Sequence, residues 1–578
     1  MKRVVPVIIV IILIFAVGGF FAWEMIGKKY QPEIETLDYK AELGLGENEC
    51  SITLNRELLS DEHAISEDGR IYLRVGFVTQ RINSRFYYDD EEDLFLYTTP
   101  TSILTFTPDV QSYTVTSWDD SSEADEGYVV IRTFDGVPYV DAAYVKEKTQ
   151  MDYEAFTDPD RIVINTKWGE ENVVTIKEDT ELRYRGGIKS EILRLAKKGE
   201  KMVMIDDSYE DWICLASDDG YIGWISRKAA GNASLTELQP PEFEQTEYPS
   251  IHRDFKINML WHQVMTEVAN EYVGDVIKAS PGINVLSPTW FWFENTDGQV
   301  ASIAGTGYVE AAHKAGIEVW ALFSNEFPDE EDVRYFDTDK TTKVLSSTSR
   351  RSQIISQVIQ YVRDNGIDGI NIDFESIAED AADDYIEFIR ELSIPCRYYG
   401  IVLSVDNYVP AYTYYYNRRE QGVVADYVVI MGYDETLGSS ETPGPVASSA
   451  FVRQGVADTL ELVDKSKVIN GIPFYTRVWS TSKDGVVSSF ACGMEEAAGY
   501  LENHKVTPYL DESSGLNYGN YTSTIDGNFY EIWLQDADAV NDEMSIIREY
   551  DLAGVASWKA GFESGPEIFK IISSGLSQ

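Results

Sequence analysis

Residues 251–578 alternate apolar, strand-like runs with helix-like stretches, and this alternation constrains the fold more than any other feature of the chain. Such spacing is typical of βα units, in which a helix returns the chain to a parallel neighbouring strand. Eight such runs occur, which is the number that a closed (β/α)8 barrel requires. The sequence therefore predicts an α/β fold with a TIM barrel. The predicted strands are 256–263, 283–293, 318–324, 369–375, 400–405, 427–433, 468–475 and 554–558.

The fourth run carries polar side chains at every second position. It reads Asp-Gly-Ile-Asn-Ile-Asp-Phe-Glu, so Asn371, Asp373 and Glu375 share one face of the strand. We expect this face to point into the barrel, where burying two carboxylates costs several kcal/mol unless they are paired or neutralised. Perturbed carboxylates cluster at functional sites, and barrel enzymes place their chemistry at the carboxyl ends of the strands. The run therefore predicts an active site.

This stretch resembles the DxxDxDxE motif of glycoside hydrolase family 18, the chitinase-like family. Four further segments resemble the family in the expected order, at residues 287–290, 431–434, 471–475 and 554–558. Together they extend over nearly the whole predicted barrel. Residues 350–375 and 532–559 are most similar to the subgroup that acts on spore-cortex peptidoglycan.

The resemblance implies a mechanism in which the 2-acetamido group of the substrate acts as the nucleophile. Glu375 would then be the general acid, Asp373 would orient the acetamido N–H, and Tyr433 would donate to the acetamido oxygen. Asn371 replaces the middle aspartate of the motif and is expected to donate to Asp373, while Asp368 is expected in a supporting role at the strand end. The implied substrate-binding residues are Asp434, Trp558, Met431 and Trp290.

The implied activity is a retaining glycosidase that hydrolyses β-1,4 bonds of N-acetylglucosamine-containing polymers, above all peptidoglycan. Two alternatives stay open: a chitinase or N-glycan endo-β-N-acetylglucosaminidase, and an inactive sugar-binding surface protein, against which the presence of Glu375 argues. No cofactor or metal is predicted, because the four cysteines are dispersed and the five histidines show no HxH or HExxH spacing. The oligomeric state and endo or exo action stay open.

The charge balance excludes one class of partner. The 578 residues include 48 basic and 97 acidic side chains, which gives a net charge of −49. A nucleic-acid-binding protein needs a basic surface to neutralise phosphates. We therefore predict no nucleic-acid partner, and recognition of polysaccharide by stacking and hydrogen bonds.

The N-terminus begins Met-Lys-Arg and continues with an apolar run at residues 4–23, which is long enough to span a bilayer. Its length, its aromatic end and the lysines after it favour an uncleaved anchor within residues 1–29 over a signal peptide. The predicted location is the cell membrane, with the bulk of the chain outside the cytoplasm. A secreted protein is the alternative.

Two small β-rich domains are predicted before the barrel at 251–578. Residues 61–165 weakly resemble the N-terminal domain of copper amine oxidases, without copper ligands, and residues 172–229 resemble a bacterial SH3 domain that ends in Asp-Gly-x-x-Gly-Trp. Polar linkers are predicted at 30–60 and 230–250. The acidic clusters at residues 89–93 and 119–126 are expected in solvated loops.

Overall fold

The chain forms two compact units. The computed structural model describes residues 13–14, 16–20, 23–24 and 29–577. The first unit comprises Met1–Phe86, Phe106–Ser112 and Asp125–Gln245. The second unit comprises Tyr87–Thr105, Tyr113–Ala124 and Thr246–Gln578. The sequence between residues 61 and 165 therefore contributes to both units.

The predicted membrane anchor requires one continuous apolar helix of about 20 residues. Across the described residues, no helix combines the length and the apolarity needed to cross a bilayer. The predicted location in the cell membrane is therefore wrong. Much of the predicted anchor at residues 1–29 lies outside the described residues.

Two seven-stranded sheets make up most of the first unit. In spatial order, the strands of one are Asp152–Phe156, Arg161–Asn165, Glu49–Leu54, Glu57–Glu67, Arg70–Arg74, Val137–Asp141 and Ile131–Phe134. Those of the other are Ile192–Ala196, Thr180–Arg183, Ile222–Ser226, Trp212–Ala216, Lys201–Asp206, Gly169–Ile176 and Ala230–Leu238. Its helices are Tyr39–Glu42, Val75–Arg81, Ala142–Glu147 and the short 3₁₀ turn Arg227–Ala229.

The second of these sheets contains the SH3-like sequence motif. Gly223 lies where a Cβ atom would approach the carbonyl oxygen of Arg183 to 2.7 Å, so a larger residue would push the strands apart. Trp224 is half-buried and packs edge to face against Tyr209, with ring centroids 5.1 Å apart. These contacts explain the glycine and the aromatic residue by packing, and the SH3-like identity stays a prediction.

The second unit contains the predicted barrel. Its eight strands are Ile257–His262 (β1), Val285–Phe293 (β2), Glu318–Ser324 (β3), Gly369–Asp373 (β4), Val402–Tyr408 (β5), Tyr427–Met431 (β6), Val468–Pro473 (β7) and Gly554–Trp558 (β8). Each strand pairs in parallel with its neighbour along the chain, and β1 pairs with both β2 and β8. This closure confirms the (β/α)8 barrel. Strand β5 extends to Tyr408, three residues past its predicted end.

Ten helices lie in the described part of the second unit, and one of them, Met494–Asn503, packs on the strands inserted between β7 and β8. They are Val273–Ala279 (α1), Thr306–Lys314 (α2), Thr338–Leu345 (α3), Thr348–Asn365 (α4), Ala382–Tyr399 (α5), Arg418–Val424 (α6), Ser449–Leu460 (α7), Met494–Asn503 (α8), Ala537–Tyr550 (α9) and Pro566–Leu576 (α10). Helix α4 shows local start and stop signals: Ser347 caps its first turn by accepting from the Arg350 N–H, and Gly366 ends it at φ +68°. Short 3₁₀ turns are Glu267–Tyr272, Glu379–Ala381 and Lys465–Lys467.

Three smaller sets of strands accompany the barrel. The insertion sheet lies between β7 and β8 and consists of Tyr475–Thr481, Val487–Gly493, Tyr509–Asp511, Leu516–Thr522 and Phe529–Leu534. The side sheet consists of Phe86–Asp89, Leu94–Thr98, Ser102–Phe106, Ser112–Ser117 and Ser121–Asp125. The third set is a two-stranded sheet, in which Glu326–Pro328 pairs with Arg334–Phe336. Strand Val300–Ser302 pairs antiparallel with β2 in the barrel sheet.

The first acidic cluster, at residues 89–93, is solvated only in part. Asp89 is fully buried, and its carboxylate accepts from the backbone N–H of Thr348 at 2.6 Å. Glu92 accepts from the backbone N–H of Ser349 at 2.8 Å. These acids occupy the N-terminus of α4, where free N–H groups and the helix dipole favour negative charge. The expectation of solvated acids at 89–93 is therefore wrong for these two residues.

Candidate active site

Strand β4 delivers its polar face to the centre of the barrel. All five residues of the strand are buried, and Asp373 at its end is 9% exposed. Glu375 lies just beyond the strand and is half-buried. The side chain of Asn325 holds the backbone of Glu375 on both sides: its amide nitrogen donates to the Glu375 carbonyl at 2.7 Å, and its oxygen accepts from the Glu375 N–H at 2.8 Å. This clamp fixes the backbone from which the Glu375 carboxyl projects.

Asn371 lies one step deeper on the same face, and its hydrogen bonds cross the lumen. Its oxygen accepts from the indole N–H of Trp261 at 2.8 Å and from the Ser287 hydroxyl at 3.1 Å. Its amide nitrogen donates to Ser404 at 3.0 Å and to Asp406 at 2.7 Å. An asparagine side chain has two donor hydrogens and two acceptor lone pairs. Its full capacity is therefore used, and the donor predicted for Asp373 is bound to Asp406.

A pocket of about 150 Å³ opens above this network at the carboxyl ends of the strands. Ligand pockets usually measure about 300 to 1,000 Å³. A space this small therefore fits one substituent or one edge of a sugar ring, with the rest of a chain outside it. Its lining residues are Trp261, Asp373, Glu375, Asp406, Tyr408, Met431, Tyr433, Asp434, Tyr475 and Trp558.

The carboxyl group of Glu375 is tuned to hold a proton near neutral pH. Burial raises its pKa to about 7, and the negative charges of Asp434 and Glu326 act in the same direction. The Tyr408 hydroxyl donates to Glu375 Oε2, which lowers the pKa and limits the shift. A carboxyl with these properties is a suitable general acid, because it carries a proton at a pH where an ordinary glutamate is ionised.

Asp373 is a buried acid of the pocket, and one of its carboxyl oxygens has no hydrogen-bond partner among the described residues. Burial raises its pKa well above the usual range, and the charges of Glu375 and Asp406 raise it further. Its Oδ1 atom is buried and finds no hydrogen-bond donor among the described residues. A buried acceptor without a partner carries an energetic penalty that a donor from a bound ligand would remove.

The opposite wall of the pocket is mainly aromatic. Burial raises the pKa of Tyr433 well above its usual range, so its hydroxyl stays protonated and can donate. The Tyr475 hydroxyl donates to Asp434 Oδ1 at 2.5 Å, which fixes that carboxylate at the rim. Trp558 packs edge to face on Trp261, with centroids 5.8 Å apart, and its half-buried ring borders the pocket. The wall thus offers hydrogen-bond donors beside apolar ring surface.

Six of the residues predicted from the sequence line this pocket: Glu375, Asp373, Tyr433, Asp434, Trp558 and Met431. Asn371 lies beneath it. Trp290 is fully buried in β2, where its indole donates to Asn270 at 2.8 Å, and it does not line the pocket. Asp368 lies at the opposite, amino end of β4 and accepts from His313 at 2.7 Å.

Four lining residues received no role in the sequence analysis: Trp261, Asp406, Tyr408 and Tyr475. Asp406 and Tyr408 are two residues apart on β5, so alternation would have placed them on one face if the strand had been extended past Val405. Tyr475 ends the segment 471–475 that resembles the family, but it was given no role. Trp261 gave no such signal, because aromatic residues in apolar runs are usual in any core. Across the described part of the chain, no group of three or more His, Cys, Asp or Glu residues is arranged to hold a metal ion.

Comparisons with known proteins agree with this geometry. Residues 336–563 match the family described as Glycosyl hydrolases family 18. The chain is 28% identical over 301 residues to an uncharacterized glycosylase, YvbX, of Bacillus subtilis, covering 51% of this chain and 85% of that protein. It is 24% identical over 235 residues to the cortical fragment-lytic enzyme of Bacillus anthracis, covering 39% of this chain and 54% of that enzyme.

Solved structures share the fold of the barrel. The C-terminal domain of a putative chitinase from Desulfitobacterium hafniense superposes with a TM-score of 0.50 and 21% identity, covering 56% of this chain and all of that domain. The spore cortex-lytic enzyme SleL of Bacillus cereus also gives a TM-score of 0.50, with 20% identity over 60% of this chain and 78% of that one. The C-terminal barrel is therefore a glycosyl hydrolase family 18 domain, and the chain is a glycoside hydrolase.

Proposed function

We propose that the chain is a retaining glycosidase that uses the acetamido group of its substrate as the nucleophile and cleaves β-1,4 bonds next to N-acetylglucosamine. One observation carries the proposal: the proton-holding carboxyl of Glu375 borders the same small pocket as the unpartnered buried Oδ1 of Asp373. The first group suits proton donation to a leaving oxygen. The second suits acceptance of an amide N–H.

The proposed reaction has two steps. Glu375 protonates the glycosidic oxygen while the acetamido oxygen attacks the anomeric carbon, so the bond to the leaving sugar breaks and a cyclic oxazolinium ion forms. Asp373 accepts the acetamido N–H and stabilises the positive charge, and Tyr433 donates to the acetamido oxygen. In the second step the Glu375 carboxylate takes a proton from water, whose oxygen attacks the same carbon. The bond between that carbon and the acetamido oxygen breaks, which regenerates the acetamido group and restores the original configuration.

Peptidoglycan is the proposed polymer. The enzyme from Bacillus anthracis named above is called cortical fragment-lytic, and its match extends over 39% of this chain. Chitin and N-linked glycans carry the same acetamido group and are the competing substrates, since the pocket recognises that group without regard to the next sugar. An inactive sugar-binding protein is a further alternative, which the retained Glu375 disfavours.

Side-by-side digestion tests the proposal and separates the candidate substrates. The protein is incubated with purified peptidoglycan, chitin oligosaccharides and an N-glycosylated protein, and the products are identified by mass spectrometry. New N-acetylglucosamine reducing ends from peptidoglycan, absent with the Glu375→Gln variant, are expected. Turnover of chitin or glycoprotein alone would replace peptidoglycan as the substrate, and equal cleavage by the Glu375→Gln variant would remove Glu375 as the acid.

A further inference from the structure

Asp406 is a fifth-strand carboxyl that no motif of the chain predicts, and it lies beside Asp373. Strands β4 and β5 are parallel, with Asn371 opposite Ser404 and Ile372 opposite Val405. The next pair in this register is Asp373 and Asp406, on strands about 4.8 Å apart. Both residues line the pocket, and Asp406 is 2% exposed. The barrel therefore places two buried carboxyls side by side.

The hydrogen bonds of Asn371 orient this pair. Trp261 and Ser287 donate to its oxygen, so its amide nitrogen must point the other way, where it donates to Asp406 Oδ1 at 2.7 Å. Burial raises the pKa of Asp406 well above its usual range, and this bond offsets part of that shift by favouring negative charge on Asp406. Asp373 receives no equivalent donor within the described residues. In the absence of ligand, the charge is therefore better accommodated on Asp406, and a proton on Asp373.

Charge compensation in this cluster comes from protons. The charged groups that act on Asp373 from neighbouring elements are Glu375, Asp406 and Glu326, all of them acidic. The phenols of Tyr433, Tyr408 and Tyr385 and the carboxyl of Asp434 also lie close to the pair, and none of them supplies positive charge. Two adjacent carboxyls in such a site cannot both ionise near neutral pH, and they hold one proton between them.

We propose that Asp406 is the proton-sharing partner of Asp373, and this inference rests on the proposed acetamido-assisted reaction. When the acetamido N–H of the substrate reaches Asp373, that carboxyl must be an acceptor. The O–H bond on Asp373 breaks and an O–H bond forms on Asp406, so the pair keeps a single negative charge and solvent neither gains nor loses a proton. Asp406 is thus a positioning residue that determines which carboxyl is ionised during turnover.

The Asp406→Asn variant separates this role from packing, because the amide has nearly the same shape and keeps an oxygen for the Asn371 donor. Rates of reducing-end release from purified peptidoglycan are measured between pH 4 and 9. We expect kcat/KM at the optimum to fall at least tenfold and the acid limb to move upward by about one pH unit, because Asp373 must then lose its proton to solvent. Asp364→Asn, the same change at an exposed position of α4, is the control and should leave the profile unchanged.

An exchange of the two side chains gives a second, rescuing arm. The Asn371→Asp/Asp406→Asn double variant again places one carboxyl and one amide beside Asp373. It should recover most of the rate lost in Asp406→Asn and restore the acid limb. An unchanged acid limb in Asp406→Asn, or a double variant no better than that single variant, would overturn the proposal. Thermal melts of each variant show that the compared proteins are folded.

The experiments give different results if the role of Asp406 is wrong and if the proposed reaction is wrong. If the unmodified protein turns over none of the three substrates, the proposed reaction itself is wrong. If it turns over peptidoglycan and Asp406→Asn behaves like the unmodified protein at every pH, the reaction stands and the proton-sharing role of Asp406 is wrong.

Discussion

Two clusters of buried acids lie in the second unit, and they differ in what compensates their charge. In the paired cluster, on α4, α5 and α6, Arg351 contacts Glu391 at 3.0 Å. Arg390 contacts Glu387 at 2.9 Å and Glu420 at 3.0 Å. Both guanidinium groups are almost fully buried. Each acid of this cluster has a cation within ion-pair distance.

The pocket cluster consists of Asp373, Glu375 and Asp406. The charged groups that shift the pKa values of these three acids are all acidic across the described residues. Burying charge without a counter-ion costs several kcal/mol, so these carboxyls hold protons instead. Burial raises the pKa of Glu391 to about 7 even beside Arg351, so burial acts on the acids of both clusters. The comparison teaches that the acids of the paired cluster also have cations that hold helices together, whereas protons alone compensate the acids of the pocket cluster.

The largest expected effect is on turnover, from Glu375→Gln in the pocket cluster. Removing the general acid should lower kcat by about 10³-fold, which lies within the range of general acid catalysis. The folded-state pKa of Glu375 is about 7, above its ordinary value of 4.5, so its ionisation destabilises the folded protein as pH rises through that interval. The variant should therefore melt at the same or a higher temperature at pH 8.

Glu379→Gln is the matched control for this change. Glu379 follows four residues later and accepts from the exposed Tyr414 hydroxyl. The same substitution there should leave both kcat and the melting temperature nearly unchanged. If the melting temperature of Glu375→Gln falls steeply, Glu375 stabilises the fold as the acids of the paired cluster do. The proposed difference between the two clusters would then be wrong.

Breaking an ion pair of the paired cluster should lower the stability of the protein and leave its turnover unchanged, which is the reverse of the effect expected for Glu375→Gln. Arg351→Met leaves the Glu391 carboxylate buried without its cation, which costs about 3–5 kcal/mol of unfolding free energy. Denaturant titration measures this loss, while kcat per folded molecule should stay unchanged. The Arg351→Met/Glu391→Leu double variant removes both charges and should recover much of the stability. Loss of kcat in a variant that remains folded would show that the two clusters are coupled.

The pH dependence of the cleavage rate tests whether Glu375 holds a proton near neutral pH. Proton donation requires the acid form of Glu375, whose fraction falls about tenfold per pH unit above its pKa of about 7. The rate on peptidoglycan should therefore decline above pH 7. A 4-nitrophenyl glycoside needs little proton donation because its leaving group is already stable as an anion. If the alkaline decline is equally steep on that substrate, another group causes it.

The smallest expected effect comes from Tyr408→Phe. The Tyr408 hydroxyl donates to the Glu375 carboxylate and lowers its pKa. Its removal should raise that pKa by up to about one unit, since a hydrogen bond contributes about 1 kcal/mol. The alkaline limb of the rate profile should then move upward with a modest change in kcat. Tyr414→Phe, which removes an exposed hydroxyl, is the control and should not move the limb.

Much of the barrel could be predicted from local patterns. Strands β3 and β8 begin and end at their predicted residues, and the other six differ by one to three residues at their ends. Alternation along β4 also places Asn371, Asp373 and Glu375 on one face. These features depend on the pleat of a single strand and on the spacing of neighbouring strands, which the order of residues expresses directly.

Other predictions failed where burial or partners decide the outcome. Trp290 belongs to a segment that resembles the family, yet its ring packs edge to face on Tyr308 at 4.9 Å inside the barrel wall. Asp89 and Glu92 look like surface acids in the sequence, but they occupy the start of α4. The neighbouring residues in the sequence do not show whether an acidic side chain is solvated or accepts hydrogen bonds from the N-terminus of a distant helix.

The sequence by itself determined the eight-stranded barrel and the Asp373–Glu375 pair, because both follow from periodicity within short segments. Only the tertiary structure decided that Asp406 lies next to Asp373, that Asn325 clamps the backbone of Glu375, and that Asn371 donates to Asp406. These contacts join residues 33 to 50 positions apart along the chain. They exist because closure of the barrel sets the register between strands, and the register selects which side chains meet.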